Sequence, residues 1–231
     1  MEENCCGGEC ASLKSSFMAD VKPEDRCRIK EYAATLSLRK GQTIFENGRK
    51  AEGLFCIKRG TVKIELESST GEAMTIDLLD NQGMLGHHCL ISSRNYYTAT
   101  CLSEAEICFI PKTVVNTLHE NNPGLLSRIN RSIADDQSRL ATAIMSLRTK
   151  SVQQRTAEAL IRLQNIFGKD AQGMIKCELT KEELAKLIGS SVESVFRSLS
   201  TFRKKDYIDF DKRKLWIKNE IRLRSVGKIH T

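Results

Sequence analysis

Thr180-Lys181-Glu182-Glu183-Leu184-Ala185-Lys186-Leu187-Ile188-Gly189-Ser190-Ser191-Val192-Glu193-Ser194-Val195-Phe196-Arg197 is the stretch from which the architecture is read. Thr180 and Glu183 have the spacing of a capping box, in which each side chain satisfies the other's backbone N–H, and this predicts a short helix through Ile188. Gly189 supplies a turn, and Ser190 or Ser191 caps a second helix running to about Lys205. Two helices crossing closely need a small residue in the first, a residue free to take positive φ between them and an apolar anchor in the second. Ala185, Gly189 and Val195 meet all three needs, so the segment reads as a helix-turn-helix. Val195, Leu199 and Phe202 share the inner face of the second helix, which leaves Ser191, Val192, Glu193, Phe196 and Arg197 pointing outward as candidates for a DNA groove. Arg can donate two parallel hydrogen bonds to guanine and Glu can accept from cytosine N4, so a Glu and an Arg one turn apart can read adjacent base pairs. A plain surface ion pair between Glu193 and Arg197 is the competing interpretation.

Beyond this motif, Tyr207-Ile208-Asp209-Phe210 and Leu215-Trp216-Ile217 alternate around Asp211-Lys212-Arg213-Lys214, which predicts a hairpin wing with a basic tip. The charge follows the same division. From Thr149 to Thr231 there are 18 basic and 10 acidic residues, against 18 and 19 before it, so the formal net charge of +7 resides in the last third. A basic module on a neutral one suits a nucleic-acid binder, because each Lys or Arg that neutralises a phosphate frees condensed counterions.

On the N-terminal side, Val152 to Phe167 reads as a helix ended by Gly168. Before it, Leu126, Ile133, Leu140 and Leu147 fall seven apart with Ile129 and Ile144 beside them, which predicts one long helix and a dimer seam interrupted by Asp135 and Asp136. Earlier still, Gly41, Gly48, Gly53, Gly60, Gly71, Gly83 and Gly86 punctuate short apolar runs at Thr43-Ile44-Phe45, Leu54–Lys58, Thr61–Leu66, Met74–Leu79, Thr98–Leu102 and Ala105–Ile110. This is the rhythm of a β-barrel or jelly roll, with Ser69-Thr70-Gly71 as a hairpin turn.

The 231 residues can build ordinary cores, and their composition argues against collagenous, disordered and membrane-spanning classes. Met1 to Gly8 has neither a basic patch nor an apolar run of signal-peptide length, so a cytoplasmic location is expected. Nine cysteines then read as reduced thiols or metal ligands rather than bridges. No Ser/His/Asp set, phosphate-cradling glycine loop or framed carboxylate pair suggests an enzyme.

The order β-roll, long heptad helix and winged helix-turn-helix, together with Arg39-Lys40-Gly41-Gln42-Thr43-Ile44-Phe45, Gly53-Leu54-Phe55-Cys56-Ile57-Lys58-Arg59-Gly60-Thr61-Val62-Lys63 and Glu193-Ser194-Val195-Phe196-Arg197, resembles the Crp/Fnr family of bacterial transcription regulators. The resemblance implies an α+β fold: a cysteine-rich segment over 1–19, a jelly-roll sensor domain of cyclic-nucleotide-binding type over 20–118, a dimerisation helix over 119–148 and a winged helix-turn-helix over 149–231. It also implies a homodimer, a palindromic promoter site in double-stranded DNA with a TGA core, DNA contacts from Ser191, Val192, Glu193, Phe196, Arg197, Lys212, Arg213 and Lys214, and RNA polymerase as a partner. Cyclic-nucleotide binders of the family carry Gly-Glu-Leu and then Arg-Ser-Ala. Here Gly86-His87-His88 and Tyr96-Tyr97-Thr98-Ala99 stand there, so no response to cyclic AMP is expected.

The chain is more similar to the FNR-type oxygen sensors, whose 4Fe-4S cluster uses three N-terminal cysteines and a fourth in the roll. The resemblance places Cys108 as the fourth ligand and Cys5, Cys6 and Cys10 as the N-terminal set. The C-C-x3-C spacing departs from the family's C-x2-C-x5-C, so Cys27 is a substitute ligand. His87 and His88 support haem as an alternative, since haem-binding carbon monoxide sensors of the family carry a His near this point. A thiol-based redox or metal-binding protein whose basic end meets another protein is a third reading. Cys56, Cys89, Cys101 and Cys177 read as small buried hydrophobes.

Overall fold

The computed structural model describes residues 21–229 apart from 23, 24, 26–28, 30, 82, 120, 121, 178, 212 and 213. Two four-stranded sheets form the N-terminal roll. One has the order β1 (Ala34–Leu38), β8 (Ala105–Pro111), β3 (Gly53–Arg59), β6 (Met84–Leu85); the other runs β2 (Thr43–Phe45), β7 (Thr98–Cys101), β4 (Val62–Glu67), β5 (Ala73–Leu79). The jelly-roll expectation is met. The strand β3 reads as a continuous apolar run rather than an alternating one because Gly53 to Ile57 are all buried. One set of its side chains, Leu54 and Cys56, joins Ile110, Cys89 and the helical residues Val115, Leu125 and Ile129 in a second core outside the sheet.

A 3-10 turn, His87–Leu90, follows β6, and Gly86 before it takes φ 76°. Only glycine fits there, since a Cβ would meet the Gly53 carbonyl oxygen at 2.4 Å. After β8 come α1 (Lys112–His119) and α2 (Pro123–Thr149). The helix α2 is the heptad helix expected from the sequence, but only part of its apolar seam is exposed. Ile129 has 0% exposure and Leu125 the same, both packed on the roll, with Ile133 half-buried beside them. Leu126, Leu140 and Ile144 remain exposed.

The described residues form two compact units that divide within α2, one reaching Arg139 and the other starting at Leu140 and including Glu72–Ile76. The second unit holds α3 (Val152–Phe167), α4 (Lys181–Ile188), α5 (Val192–Lys204), the hairpin β9 (Ile208–Asp211) and β10 (Lys214–Ile217), and α6 (Glu220–Gly227). Its core gathers Leu160, Ile161, Leu163, Leu184, Ile188, Val195, Leu199, Phe202 and Leu223. Among the described residues no helix is long and apolar enough to cross a membrane.

Candidate functional site

The helix pair forms as its capping signals dictate. Thr180 Oγ1 accepts from the Glu183 N–H at 3.1 Å, and Glu183 Oε2 accepts from the Thr180 N–H at 2.7 Å. Gly189 closes α4 in the left-handed region at φ 65°, and Ser191 then accepts from the Ser194 N–H at 3.3 Å to open α5. Val195, Leu199 and Phe202 are buried, while Ser191, Glu193, Phe196 and Arg197 are exposed and Val192 is half-buried. The side chains of Glu193 and Arg197 form neither an ion pair with each other nor any other polar contact among the described residues, so both are available to an outside partner.

Phe196 behaves differently from its neighbours. Its ring meets Phe210 of β9 edge-on at 6.0 Å, and Lys181 Nζ lies 4.7 Å from its centroid. Arg203 in turn covers Phe210 at 5.1 Å. The helix α5 and the β9–β10 hairpin are thus joined by an aromatic pair with a cation over each ring. Cys177 lies below, in the lining of an apolar cavity of about 60 Å³ that also contains Phe196, Phe210 and Leu199. Lys214 is exposed at the start of β10; Lys212 and Arg213 lie outside the described residues.

Arg155, which the sequence did not single out, is the anchor of this unit. Its Nε donates to the Ile188 carbonyl at 2.9 Å and Nη2 to that of Gly189 at 3.1 Å. Nη1 donates to Lys150 at 2.8 Å and to Leu147 at 3.4 Å. One guanidinium therefore satisfies carbonyls at the C-terminal ends of both α2 and α4, where orphan acceptors and the helix dipole favour a cation.

In the roll, Cys108 pairs in register with Cys56 on β3 and Thr35 on β1. Cys56 is buried, and loss of solvation pushes its thiol pKa upward, with the nearby Cys108 adding to the rise. Cys89 is pushed up to about 11 by burial, and burial also raises Cys101. Cys108 is half-buried. Cys5, Cys6, Cys10 and Cys27 lie outside the described residues, and among the described residues no three His, Cys, Asp or Glu side chains are grouped to hold a metal ion.

Both histidines point inward. His87 Nε2 lies 3.2 Å from Asp136 Oδ2 on α2, and His88 Nε2 lies 2.9 Å from Asn95 Oδ1. Burial lowers the His88 pKa, with its Asn95 bond opposing the shift. Asp136 also pairs with Arg139, whose Nε is 2.6 Å from Asp77 Oδ2. The interruption of the heptad pattern at Asp136 thereby gains a role, since it ties the 3-10 turn to the long helix. The Tyr97 hydroxyl accepts from the Gly86 N–H at 3.3 Å, and its ring packs on Phe45 and His88. Arg94 donates to the Gly48 carbonyl on an exposed loop.

Comparison with known proteins decides the family. Residues 35–122 match the cyclic nucleotide-binding domain and residues 154–226 the Crp-like helix-turn-helix domain. The chain belongs to the Crp/Fnr family. Relatives of this Crp/Fnr protein include the CRP-like cAMP-activated global transcriptional regulator of Mycobacterium tuberculosis, 22% identical over 91% of this chain and 95% of that protein. The anaerobic regulatory protein of Bacillus subtilis is 26% identical over 84% of this chain and 83% of its own length. A crp/fnr-family transcriptional regulator from Eubacterium rectale superposes with a TM-score of 0.79 at 22% identity, covering 92% of this chain and 97% of that one. The Crp/Fnr chain described here is a DNA-binding transcriptional regulator.

Proposed function

We propose that this Crp/Fnr regulator works in the cytoplasm as a homodimer on palindromic promoter DNA, with RNA polymerase as its partner, and that its roll responds to oxygen, redox state or a gas. In this reading a 4Fe-4S cluster is held by Cys108 with Cys5, Cys6 and Cys10, Cys27 being the substitute. The observation that carries the reading is the placement of Cys108. Of the roll cysteines described, Cys56, Cys89 and Cys101 are buried and Cys108 alone is half-open. Thiolate sulfur is the soft donor that iron-sulfur chemistry requires, so the residue fits the group. When bound, such a cluster supplies chemistry that oxygen or nitric oxide can destroy.

Cys108 is well placed to pass on a change of state. It lies on β8, hydrogen-bonded to β3, and packs against the core that includes Ile129 and Ile133 of α2. A pull on β8 therefore bears on the helix whose outer stripe pairs two copies. The exposed Leu126, Leu140 and Ile144 support that pairing. Glu193 and Arg197 are assigned to the TGA core of each half-site. Cyclic AMP is not the effector in this reading, because the guanidinium near Tyr97, that of Arg139, is already engaged by Asp77 and Asp136, and an unpaired buried phosphodiester charge costs several kcal/mol.

Anaerobic purification followed by an absorption spectrum and iron and sulfide assays tests the proposal. Cys108→Ser should lose the cluster absorbance and the anaerobic gain in DNA affinity, while Cys177→Ser should keep both. A complete iron-sulfur spectrum without Cys108, or equal DNA binding with and without air, would overturn it.

A further inference from the structure

The apolar cavity lined in part by Phe196 and Phe210 lies wholly within the unit that carries the helix-turn-helix. Leu160 and Leu163 of α3, Leu184 of α4 and Leu199 of α5 also line it, and all four are buried, so they close its inner end. Phe196 is 42% exposed, and Lys181 and Lys214 are exposed as well, so these lining residues mark the end that meets solvent. The walls of an apolar cavity lack dispersion partners on one side, and an apolar occupant supplies them. At about 60 Å³ the space is well below the roughly 150 Å³ that encloses a benzene ring, so it suits a slim alkyl chain and excludes an aromatic one.

The charge at the open end has a single sign. Among the described residues that line the cavity, Lys181 and Lys214 are the charged ones. Lys181 Nζ sits 4.7 Å from the Phe196 centroid, and its ammonium makes no ion pair or hydrogen bond among the described residues. Lys214 stands opposite Asp211 in the hairpin register without forming an ion pair with it. Glu183 is committed to the capping box with Thr180, and neither Glu182 nor Glu183 lines the cavity. A lysine lays its stem along apolar surface and keeps its head in water. A carboxylate met by these two heads therefore stays hydrated and avoids the cost of burying a charge, while its alkyl chain enters the space between the leucines.

We propose that this cavity binds a short-chain aliphatic carboxylate, its chain among Leu160, Leu163, Leu184 and Leu199 and its carboxylate between Lys181 and Lys214. The site is apart from the thiols assigned to the cluster, so the two readings stand or fall separately. Calorimetry on the full chain tests it, with hexanoate as the probe and neutral hexanamide and the aromatic benzoate as controls. Hexanoate should saturate a single site per chain, and both controls should bind more weakly. From acetate upward each added methylene should tighten binding by about fourfold, levelling off by octanoate as the space fills. Lys181→Gln and Lys214→Gln together, both at exposed positions, should weaken hexanoate by about tenfold, whereas Lys205→Gln, a lysine of the same unit outside the lining, should leave it unchanged. Cys177→Leu, which puts an aliphatic side chain into the same space, should abolish binding. Absence of saturable hexanoate binding up to millimolar concentration, equal binding of hexanamide, tighter binding of benzoate, or hexanoate binding that survives the double lysine variant undiminished would overturn the proposal.

Discussion

Phe196 shows how far a residue's position on a helix determines its work. Its place on α5 made it a groove candidate together with Glu193 and Arg197, yet its ring is engaged by Phe210 and Lys181. Those partners lie on other elements, which helical periodicity cannot report. The contrast gives a test. Arg197→Ala should cost about 1–3 kcal/mol on a TGA…TCA duplex and relax preference at one base pair. Phe196→Ser should instead weaken specific and random duplexes alike, because it loosens the wing, and Phe196→Tyr should restore binding. Binding titrations on duplexes varied at the outer base distinguish the two; a changed base preference in Phe196→Ser would assign that ring to the groove. Cys56 and Cys108 make a similar point from the sheet. Both were visible as cysteines, but only the register of β3 on β8 makes them neighbours.

At the scale of elements, the strands bounded by glycines and the helices with strong caps were legible, and α3 matches its expected limits of Val152 and Phe167. The elements that escaped are short or weakly patterned: β1 is largely exposed, β6 has two residues, α1 begins directly after the strand residue Pro111, and α6 starts from Asn219 with little apolar content. The helix α2 is legible from its heptads, but a sequence period cannot tell which apolar residues pack on the chain's own sheet and which stay exposed. The division between Ile129 and Ile144 is therefore the structural result to test. Ile129→Ala removes a fully buried side chain and should lower folding stability by about 2–5 kcal/mol, read as an earlier urea midpoint. Ile144→Asp, at a side chain 56% exposed, should leave that midpoint of the roll in place while sedimentation shows the dimer dissociating. Loss of folding in Ile144→Asp with a stable dimer in Ile129→Ala would reverse the assignment.

For the whole molecule, the separation of charge is the feature that governs encounter with DNA. The basic last third should confer strong salt dependence on binding, with log affinity falling linearly in log salt. Lys214→Ala, at the foot of the wing, should flatten that slope by about one unit and weaken all sequences evenly; an unchanged slope would remove the wing from the phosphate contacts. Charge and motif order are open to reading from the chain, whereas the links between elements are not, because they join residues far apart in the sequence and some of them end on backbone carbonyls that no side-chain pattern announces. Arg155 is the clearest case. With four carbonyls on one planar group, the last turn of α2 and the turn ahead of the reading helix behave as a single stiff lever. A twist of that end of α2 should therefore be carried to the turn that aims Glu193 and Arg197, and Arg155→Lys, able to aim one ammonium but not a fork, should leave the lever with play in it.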